Sequence, residues 1–335
     1  MIKLAPIAKT FIKEGGKLFG DLATRVTTSE MNAIFDEVKD KIGNLFNKMQ
    51  LSRALKSKQD HGDIDIVVEP KEGANLDLKN QLSGAIQYSK NGNIHSVLYY
   101  SDKVNKDVHI DFLVASGDDY EPQFEYLSFN DFSGILGVLA RRLGYSYSIE
   151  GFFKVYVDKS GRHHKILITK NLRDGLKILG YEKVLNTYDA ISNPDDIVKF
   201  ISASPLFDSD DYVGQTMNHS DRKRVRAGRP SADYIRQNLI MLNKHRATDD
   251  FDHFLKTLFP EKYQALLADE QKIESETLAK SKYGGEWLMQ HFPDIKPGPM
   301  IGKVKKFWFD TFGQDLDNIP EDELYNKTKE FLNKT

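Results

Sequence analysis

Two acidic residues one position apart are the most informative feature of the sequence. Asp63 and Asp65 open an apolar run that ends at Val68, and they follow directly after Gly62. Side chains alternate between the two faces of a β-strand, so both carboxylates share one face, about 6.5–7 Å apart along the backbone. Because carboxylate oxygens are hard ligands, this spacing predicts a divalent-metal site at the start of a strand.

A third acid can complete this site. Asp111 lies near the middle of a second apolar run, Val108 to Val114, and neighbouring strands lie about 4.8 Å apart. Three carboxylates can hold two Mg²⁺ ions, or Mn²⁺ ions, about 3.5–4 Å apart, and such a pair stabilises the attacking and leaving oxygens of a phosphoryl transfer. His109 shares the strand face of Asp111 and could border the metals. The alternative is that these acids are solvated residues on the open face of a half-exposed sheet.

The composition excludes several classes of function. The 335 residues contain no cysteine, which rules out disulfide scaffolds, cysteine-ligated zinc, iron–sulfur clusters and thiol nucleophiles. The motifs G-x-x-x-x-G-K-[ST], G-x-S-x-G and H-E-x-x-H are also missing, so phosphate-loop ATPases, α/β-hydrolases and common zinc proteases are set aside. The 47 basic and 49 acidic residues nearly cancel, so a polyanionic partner must meet a local basic patch.

The sequence gives no reason to expect a membrane partner. No stretch approaches the roughly 18 consecutive apolar residues of a membrane span. The N-terminal segment is interrupted by lysines and by Pro6, which argues against a signal peptide. We therefore expect a cytoplasmic protein, located in the host cytoplasm if its source is viral. A short mitochondrial-type presequence is the lesser alternative.

Hydrophobic periodicity indicates the elements that position the acids. Thr27 and Glu30 match a capping box, and apolar residues at helical spacing from Met31 to Phe46 predict an amphipathic helix. Runs rich in β-branched and aromatic residues predict strands. We expect residues 1–125 to form a small mixed sheet backed by helices, in the α/β (α+β) class. The predicted strands are residues 63–68, 94–100 and 108–114, and the polar residues 101–107 predict a hairpin-type connection between the last two.

The next region, residues 126–220, reads as a connector domain. Asn130 can cap a helix that Gly144 ends. A β-hairpin follows, with strands at residues 152–157 and 164–169. Further helices are predicted at residues 174–179 and 195–202.

The last region, residues 221–335, is mostly helical by pattern and forms a predicted C-terminal domain. Helices are expected from about Pro299 and from Glu321. The region opens with the densest basic run of the chain, which could contact RNA phosphates. The alternative for this run is a solvated helix face. The candidate RNA-binding residues are Arg222, Lys223, Arg224 and Arg226.

The segment before the first acid resembles a known superfamily. Ser52 precedes Asp63 by 11 positions, and with the acid pair and the later third acid this resembles the DNA polymerase β superfamily of nucleotidyltransferases. In that superfamily a Gly-Ser at the head of a helix binds the nucleotide's phosphates through hydroxyl and backbone N–H groups. Leu51 stands where the family usually has glycine. The resemblance implies nucleotide binding by Ser52, Arg53, Lys56, Lys58 and Gly62.

Two further motifs extend this resemblance. Gly15 and Gly16 look like the Gly-Gly element near the N-terminus of CCA-adding enzymes and poly(A)-polymerase-like members. Residues 298–304 resemble the G-P-x-I-G-x-h element in the helical tail of bacterial CCA-adding enzymes and poly(A) polymerases. Together the elements are similar to those of viral or bacterial poly(A)-polymerase-like nucleotidyltransferases. The resemblance covers the first 115 or so residues and the tail.

The resemblance implies a reaction and a role for each acid. The enzyme would add nucleotides from a nucleoside triphosphate, with ATP favoured, to an RNA 3′ end without a template. Asp63 and Asp65 would ligate both Mg²⁺ ions, and Asp111 would ligate the ion that activates the attacking hydroxyl. One alternative is nucleotide transfer to a protein or a small molecule, as in toxin-like and antibiotic-modifying members. Another is an inactive nucleic-acid-binding module that kept the sheet.

Overall fold

The fold is known from a computed structural model that describes residues 18–214, 222, 230–282, 284–295, 298–312 and 319–334. The chain divides into two compact units, and each of them is built from separate segments. The first unit contains the residues up to Lys154 together with Leu167–Leu258. The second contains Val155–Ile166 and the chain from Phe259 onward. The predicted mixed α/β class is confirmed, with a mixed sheet and a helical C-terminal region.

A five-stranded mixed sheet is the centre of the first unit. Its order is β2-β4-β7-β6-β5, and β4 and β7 are parallel while the other neighbours are antiparallel. A separate antiparallel pair, β1 and β3, lies in the same unit. The strands are β1 Val26–Thr27, β2 Phe46–Leu51, β3 Asp60–His61, β4 Ile64–Pro70, β5 Ala85–Asn91, β6 Ile94–Ser101 and β7 Lys106–Val114.

Helix α1, Thr28–Ile42, follows from the sequence pattern. The predicted capping box is present, because the Thr27 side chain accepts from the Glu30 N–H and the Glu30 side chain accepts from the Thr27 N–H. The apolar face of α1 packs in one core with alternate residues of β4 and β7. The helix ends earlier than predicted, because Phe46 begins the edge strand β2 instead of ending the helix.

The rest of the first unit covers the opposite sheet face and extends beyond it. Tyr120 packs with Val67 and Ala115, and Val67 points away from the α1 side because side chains alternate along β4. The remaining α-helices and strands that lie wholly or partly in this unit are α2 Leu78–Gln81, α3 Tyr120–Leu127, α4 Phe132–Arg142, β8 Tyr145–Ser148, β9 Gly151–Val157, β10 His163–Thr169, α5 Leu172–Ile178, α6 Pro194–Ser202, α7 Pro230–Met241 and α8 His253–Leu258. A 3-10 helix spans Glu182–Ala190.

One predicted cap is wrong. Helix α4 begins at Phe132 after Asp131, which makes no side-chain capping bond. Asn130 has a φ of 56° and precedes the helix by two positions. Its side-chain oxygen accepts a hydrogen bond from the Leu55 N–H, 3.0 Å away. Asn130 therefore bonds to the loop that contains Leu55 instead of capping a helix.

The second unit consists of a small helical core together with the tip of the β9–β10 hairpin. Leu288, Val304, Trp308 and Leu324 form its buried centre. Among the described residues, no helix is long and apolar enough to cross a membrane. The helices of this unit are α9 Pro260–Lys282, α10 Gly285–His291, α11 Pro299–Phe312 and α12 Glu321–Leu332.

Candidate active site

The sheet register brings the three acids together. Strands β4 and β7 are parallel, and Asp65 lies directly opposite Asp111. Asp63 immediately precedes β4. One ligand atom each from Asp63, His109 and Asp111 lie within 4.8 Å of one another, a separation that a single bound cation can span.

The pKa of Asp65 reflects both its burial and its two acidic neighbours. Burial, then the negative charges of Asp63 and Asp111, raise the pKa of Asp65 well above its usual range. The positive charges of Lys58 and His109 act in the opposite direction but do not compensate. Such an excess of carboxylate oxygens suits a divalent cation, which would neutralise the mutual repulsion.

Asp111 is held in place by two neighbours on its own sheet face. The Ser96 hydroxyl donates to Asp111 Oδ1 from strand β6, directly across the antiparallel register. His109 Nε2 lies 2.9 Å from the same oxygen. Burial opposes protonation of this imidazole, but the hydrogen bond to Asp111 and the charges of the acids outweigh it and raise the pKa of His109. The sequence singled out His109 but missed Ser96, which the predicted β6–β7 hairpin could have placed opposite Asp111.

The loop of residues 52–59 connects β2 to β3 beside the acids. The Ser52 N–H donates to the Asp65 carbonyl, 3.0 Å away, so Ser52 continues the sheet ladder next to the acid pair. The loop contains a turn, with the Lys58 N–H bonded to the Leu55 carbonyl, and no helix begins at Ser52. This differs from the helix head that the resemblance implied.

The three basic residues of this loop have different environments. Lys58 is half-buried, and its positive charge acts to lower the pKa of Asp65. Within the described part of the chain, Lys58 forms no salt bridge. Lys56 is exposed. Arg53, in contrast, pairs with Glu125 and Asp189.

His61 and Gly62 directly precede Asp63 in the sequence, and both are buried. His61 Nε2 lies 3.0 Å from the Thr28 hydroxyl. Burial, then the charge of Lys58, lower the pKa of His61 to about 4, so the ring is neutral at neutral pH. Gly62 is buried between His61 and Asp63.

Several predicted positions lie outside the described residues, and the tail motif belongs to the second unit. Gly15 and Gly16 are outside the described part of the chain, as are three members of the basic run, Lys223, Arg224 and Arg226. Arg222 is described and exposed. The motif at residues 298–304 forms the start of helix α11, where Gly298 has a φ of 102°.

A second group of metal-type ligands was not predicted from the sequence. Ligand atoms of Asp208, Asp210 and His245 lie within 4.8 Å of one another. Arg246 pairs with Asp208, and Asp208 also accepts the Asp210 N–H as the cap of a short 3-10 helix. Because a cation of the chain already balances this group, the candidate active site is the one at Asp63, Asp65 and Asp111.

Comparison with known proteins adds no relative to this picture. No model of a protein family matches the chain, and a search of curated proteins finds no match. The function must therefore be inferred from the site itself.

Proposed function

We propose that the protein is a template-independent nucleotidyltransferase that adds nucleotides from a nucleoside triphosphate, ATP being favoured, to an RNA 3′ end. The observation that carries this proposal is that Asp111 on β7 lies opposite Asp65 of β4 and has a ligand atom within 4.8 Å of one from Asp63, which immediately precedes β4. The reaction belongs to the cytoplasm, or to the host cytoplasm if the source is viral.

The three carboxylates would hold two divalent ions, Mg²⁺ or Mn²⁺. When bound, these ions would supply Lewis-acid activation of the hydroxyl and neutralise charge on the leaving pyrophosphate. The 3′ oxygen forms a bond to the α-phosphorus, and the bond from that phosphorus to the α,β-bridging oxygen breaks to release pyrophosphate. Asp111 would accept the hydroxyl proton, and this role is supported because Ser96 and His109 contact its Oδ1 and leave the second carboxylate oxygen for it.

The phosphate groups are assigned to the loop of residues 52–59. Ser52 is supported because its backbone N–H is bonded to the Asp65 carbonyl, which places Ser52 beside Asp65 in the sheet ladder. Lys58 is supported because its positive charge acts on Asp65 and, among the described residues, it has no carboxylate partner in a salt bridge. A half-buried lysine of this kind suits a charge-assisted bond to a phosphate oxygen.

The test is incorporation of labelled nucleotide. The purified chain is incubated with each NTP, Mg²⁺ and a labelled RNA oligonucleotide, and we expect extension of the RNA with ATP preferred. Asp63→Asn and Asp111→Asn should each reduce incorporation by at least about a thousandfold. Asp210→Asn, in the second acidic group, is the matched control and should retain activity. Circular dichroism checks that all three variants are folded.

The alternatives are distinguished in the same experiment. Label on a protein or small-molecule acceptor, without RNA extension, would indicate the other branch of nucleotidyltransferases. No transfer to any acceptor would indicate an inactive nucleic-acid-binding module. Undiminished RNA extension by folded Asp63→Asn and Asp111→Asn variants would contradict the assigned site.

A further inference from the structure

The loop of residues 52–59, which we call the phosphate loop, is hydrogen-bonded to residues of the same unit that are distant in the sequence. Three backbone donors or acceptors of the loop are used for this. The Phe129 N–H donates to the Arg53 carbonyl, and the Leu55 N–H donates to the Asn130 side chain. The Ser57 N–H donates to the Ser192 carbonyl, 3.2 Å away. The loop is therefore bonded to residues 129–130 and 192 as well as to the sheet.

The corner that receives the loop has an unusual backbone. Phe129 and Asn130 are consecutive and have φ values of 58° and 56°. Residues other than glycine rarely adopt this left-handed conformation, and a bulky residue such as Phe does so only where its surroundings enforce it. Both residues bond to the loop, through the Phe129 N–H and the Asn130 side chain. The hydrogen bonds to the loop therefore help to hold Phe129 and Asn130 in this left-handed conformation.

The Arg53 side chain also connects the phosphate loop to this part of the unit. Its Nε donates to the Ser128 hydroxyl at 3.1 Å, its Nη1 to Asp189 at 3.1 Å, and its Nη2 to Glu125. Tyr188 donates to the same Glu125 oxygen, 2.8 Å away. We refer to Arg53, Glu125, Ser128, Tyr188 and Asp189 as the Arg53 cluster.

Aromatic rings enclose the guanidinium group. Its carbon lies 5.2 Å from the ring centroid of Phe124, 4.7 Å from that of Phe129 and 5.3 Å from that of Tyr188. Since every nitrogen of the group already donates to the cluster and aromatic faces surround it, the group is fixed in place. This contrasts with Lys58, whose ammonium group is available to a ligand.

We propose that Arg53 is a positioning residue that fixes Ser52 and the phosphate loop against the three acids by means of the Arg53 cluster. This inference rests on the proposed function, and it assigns Arg53 a different task from direct phosphate binding. The planar fork of arginine is needed because three acceptors in different directions are used at once. The residues beyond the sheet, 124–130 and 188–192, therefore determine how the loop receives the triphosphate.

The test compares Arg53→Lys, Glu125→Gln and the double variant. Arg53→Lys keeps the positive charge but loses the planar guanidinium group that bonds three acceptors. We therefore expect the KM for ATP to rise about tenfold or more in the RNA-extension assay. Glu125→Gln should raise this KM in the same direction, and the double variant should be no worse than the more impaired single variant, because both changes break one connection. KM for the RNA oligonucleotide should stay within about twofold of the wild type in all three.

Arg173 provides a matched control. Within the described residues, this arginine bonds to Asp189 and lies over the Tyr188 ring, but it has no contact with the phosphate loop. Arg173→Lys should therefore leave the KM for ATP unchanged. If Arg53 bound phosphate directly, Glu125→Gln would free its guanidinium group and the KM for ATP would stay the same or fall, which would overturn the proposal. Equal increases in KM for Arg173→Lys and Arg53→Lys would also overturn it.

Hydrogen exchange separates this inference from the proposed function. Amides of residues 52–58 should exchange about tenfold faster in Arg53→Lys than in Arg173→Lys, whether or not the protein transfers nucleotides. If the wild type transfers no nucleotide but exchange rises as expected, the enzymatic proposal fails and the connection between Arg53 and the loop stands. If RNA extension is normal and neither exchange nor the KM changes in Arg53→Lys, the positioning role is wrong.

Discussion

Asp65 shows what the convergence of three carboxylates does to a single side chain. Because burial and two neighbouring negative charges raise the pKa of Asp65, its ionised form is disfavoured in the folded state. The folded chain therefore binds a proton at Asp65 more tightly than the unfolded chain does. Its stability should fall as pH rises above the usual aspartate pKa of 3.8 and Asp65 ionises.

We predict that Asp65→Asn stabilises the fold while it abolishes nucleotide transfer. At pH 8 without divalent metal, the free energy of unfolding should increase by about 1 kcal/mol, because the substitution removes one of the mutually repelling charges. Urea denaturation at pH 8 and at pH 4 measures this, and the gain should shrink at the lower pH. Addition of Mg²⁺ should stabilise the wild type more than the variant. A variant less stable than the wild type at pH 8 would contradict the crowding of charges at this site.

Helix α1 is fixed to the sheet by a second buried carboxylate with the opposite behaviour. Glu37 is 5% exposed and accepts hydrogen bonds from Ser101, Tyr99 and Lys41. Burial alone would raise the pKa of Glu37, but these hydrogen bonds outweigh it and lower the pKa to about 2. The ionised carboxylate thus stabilises the fold above its usual pKa of 4.5, and this contribution is lost as pH falls from 4.5 toward 2.

We predict that Glu37→Gln lowers the free energy of unfolding by about 3 kcal/mol at pH 7, because it leaves Lys41 without its buried partner. The difference from the wild type should decrease as the pH is lowered below 4.5. Asp36→Asn, an exposed acid on the same helix, is the control and should change stability by less than about 0.5 kcal/mol. Urea denaturation at pH 7, 5 and 3 measures both variants, and an undiminished difference at pH 3 would argue against this role for Glu37.

The sequence was sufficient for elements whose pattern is local. The capping box at Thr27, the buried apolar face of residues 64–68 and the polar connection between β6 and β7 depend on neighbouring residues only, and each is present. Contacts between distant segments could not be predicted in this way. Asn130 was expected to cap a helix, but tertiary contact with Leu55 determines its conformation. Arg53 was assigned by motif alone, and its partners are more than 70 residues away in the sequence.

At the scale of the whole molecule, the second unit combines two distant segments of the chain, because the tip of the β9–β10 hairpin is hydrogen-bonded to helix α9. The Asp158 carboxylate accepts bonds from the Ser160 and Arg162 N–H groups within the turn, and from the Thr277 hydroxyl of helix α9 at 3.0 Å. The Tyr156 hydroxyl donates to Glu274 of the same helix. The tip and α9 are thereby bonded to each other within one unit.

We predict that Asp158→Asn loosens the hairpin tip without changing the active site. An amide group cannot replace both carboxylate oxygens as acceptors, so amide exchange at residues 155–166 should become about tenfold faster. Ser160→Ala removes only the hydrogen bond from the Ser160 hydroxyl to Asp158, because its backbone N–H remains, and should have a smaller effect. Exchange in β4 and β7 serves as the internal control, and equal acceleration there would show that the substitution destabilises the first unit as well.

The order in which the second unit's segments are made has a consequence for biosynthesis. The hairpin tip leaves the ribosome well before helix α9, since the whole stretch Leu167–Leu258 is translated between them. Until α9 has emerged, Asp158 and Tyr156 lack their helical partners and the tip has nothing to dock on. A nascent chain stalled before residue 259 should therefore carry a protease-sensitive hairpin, and a stop codon at that point would leave an unfinished unit behind a complete acidic centre.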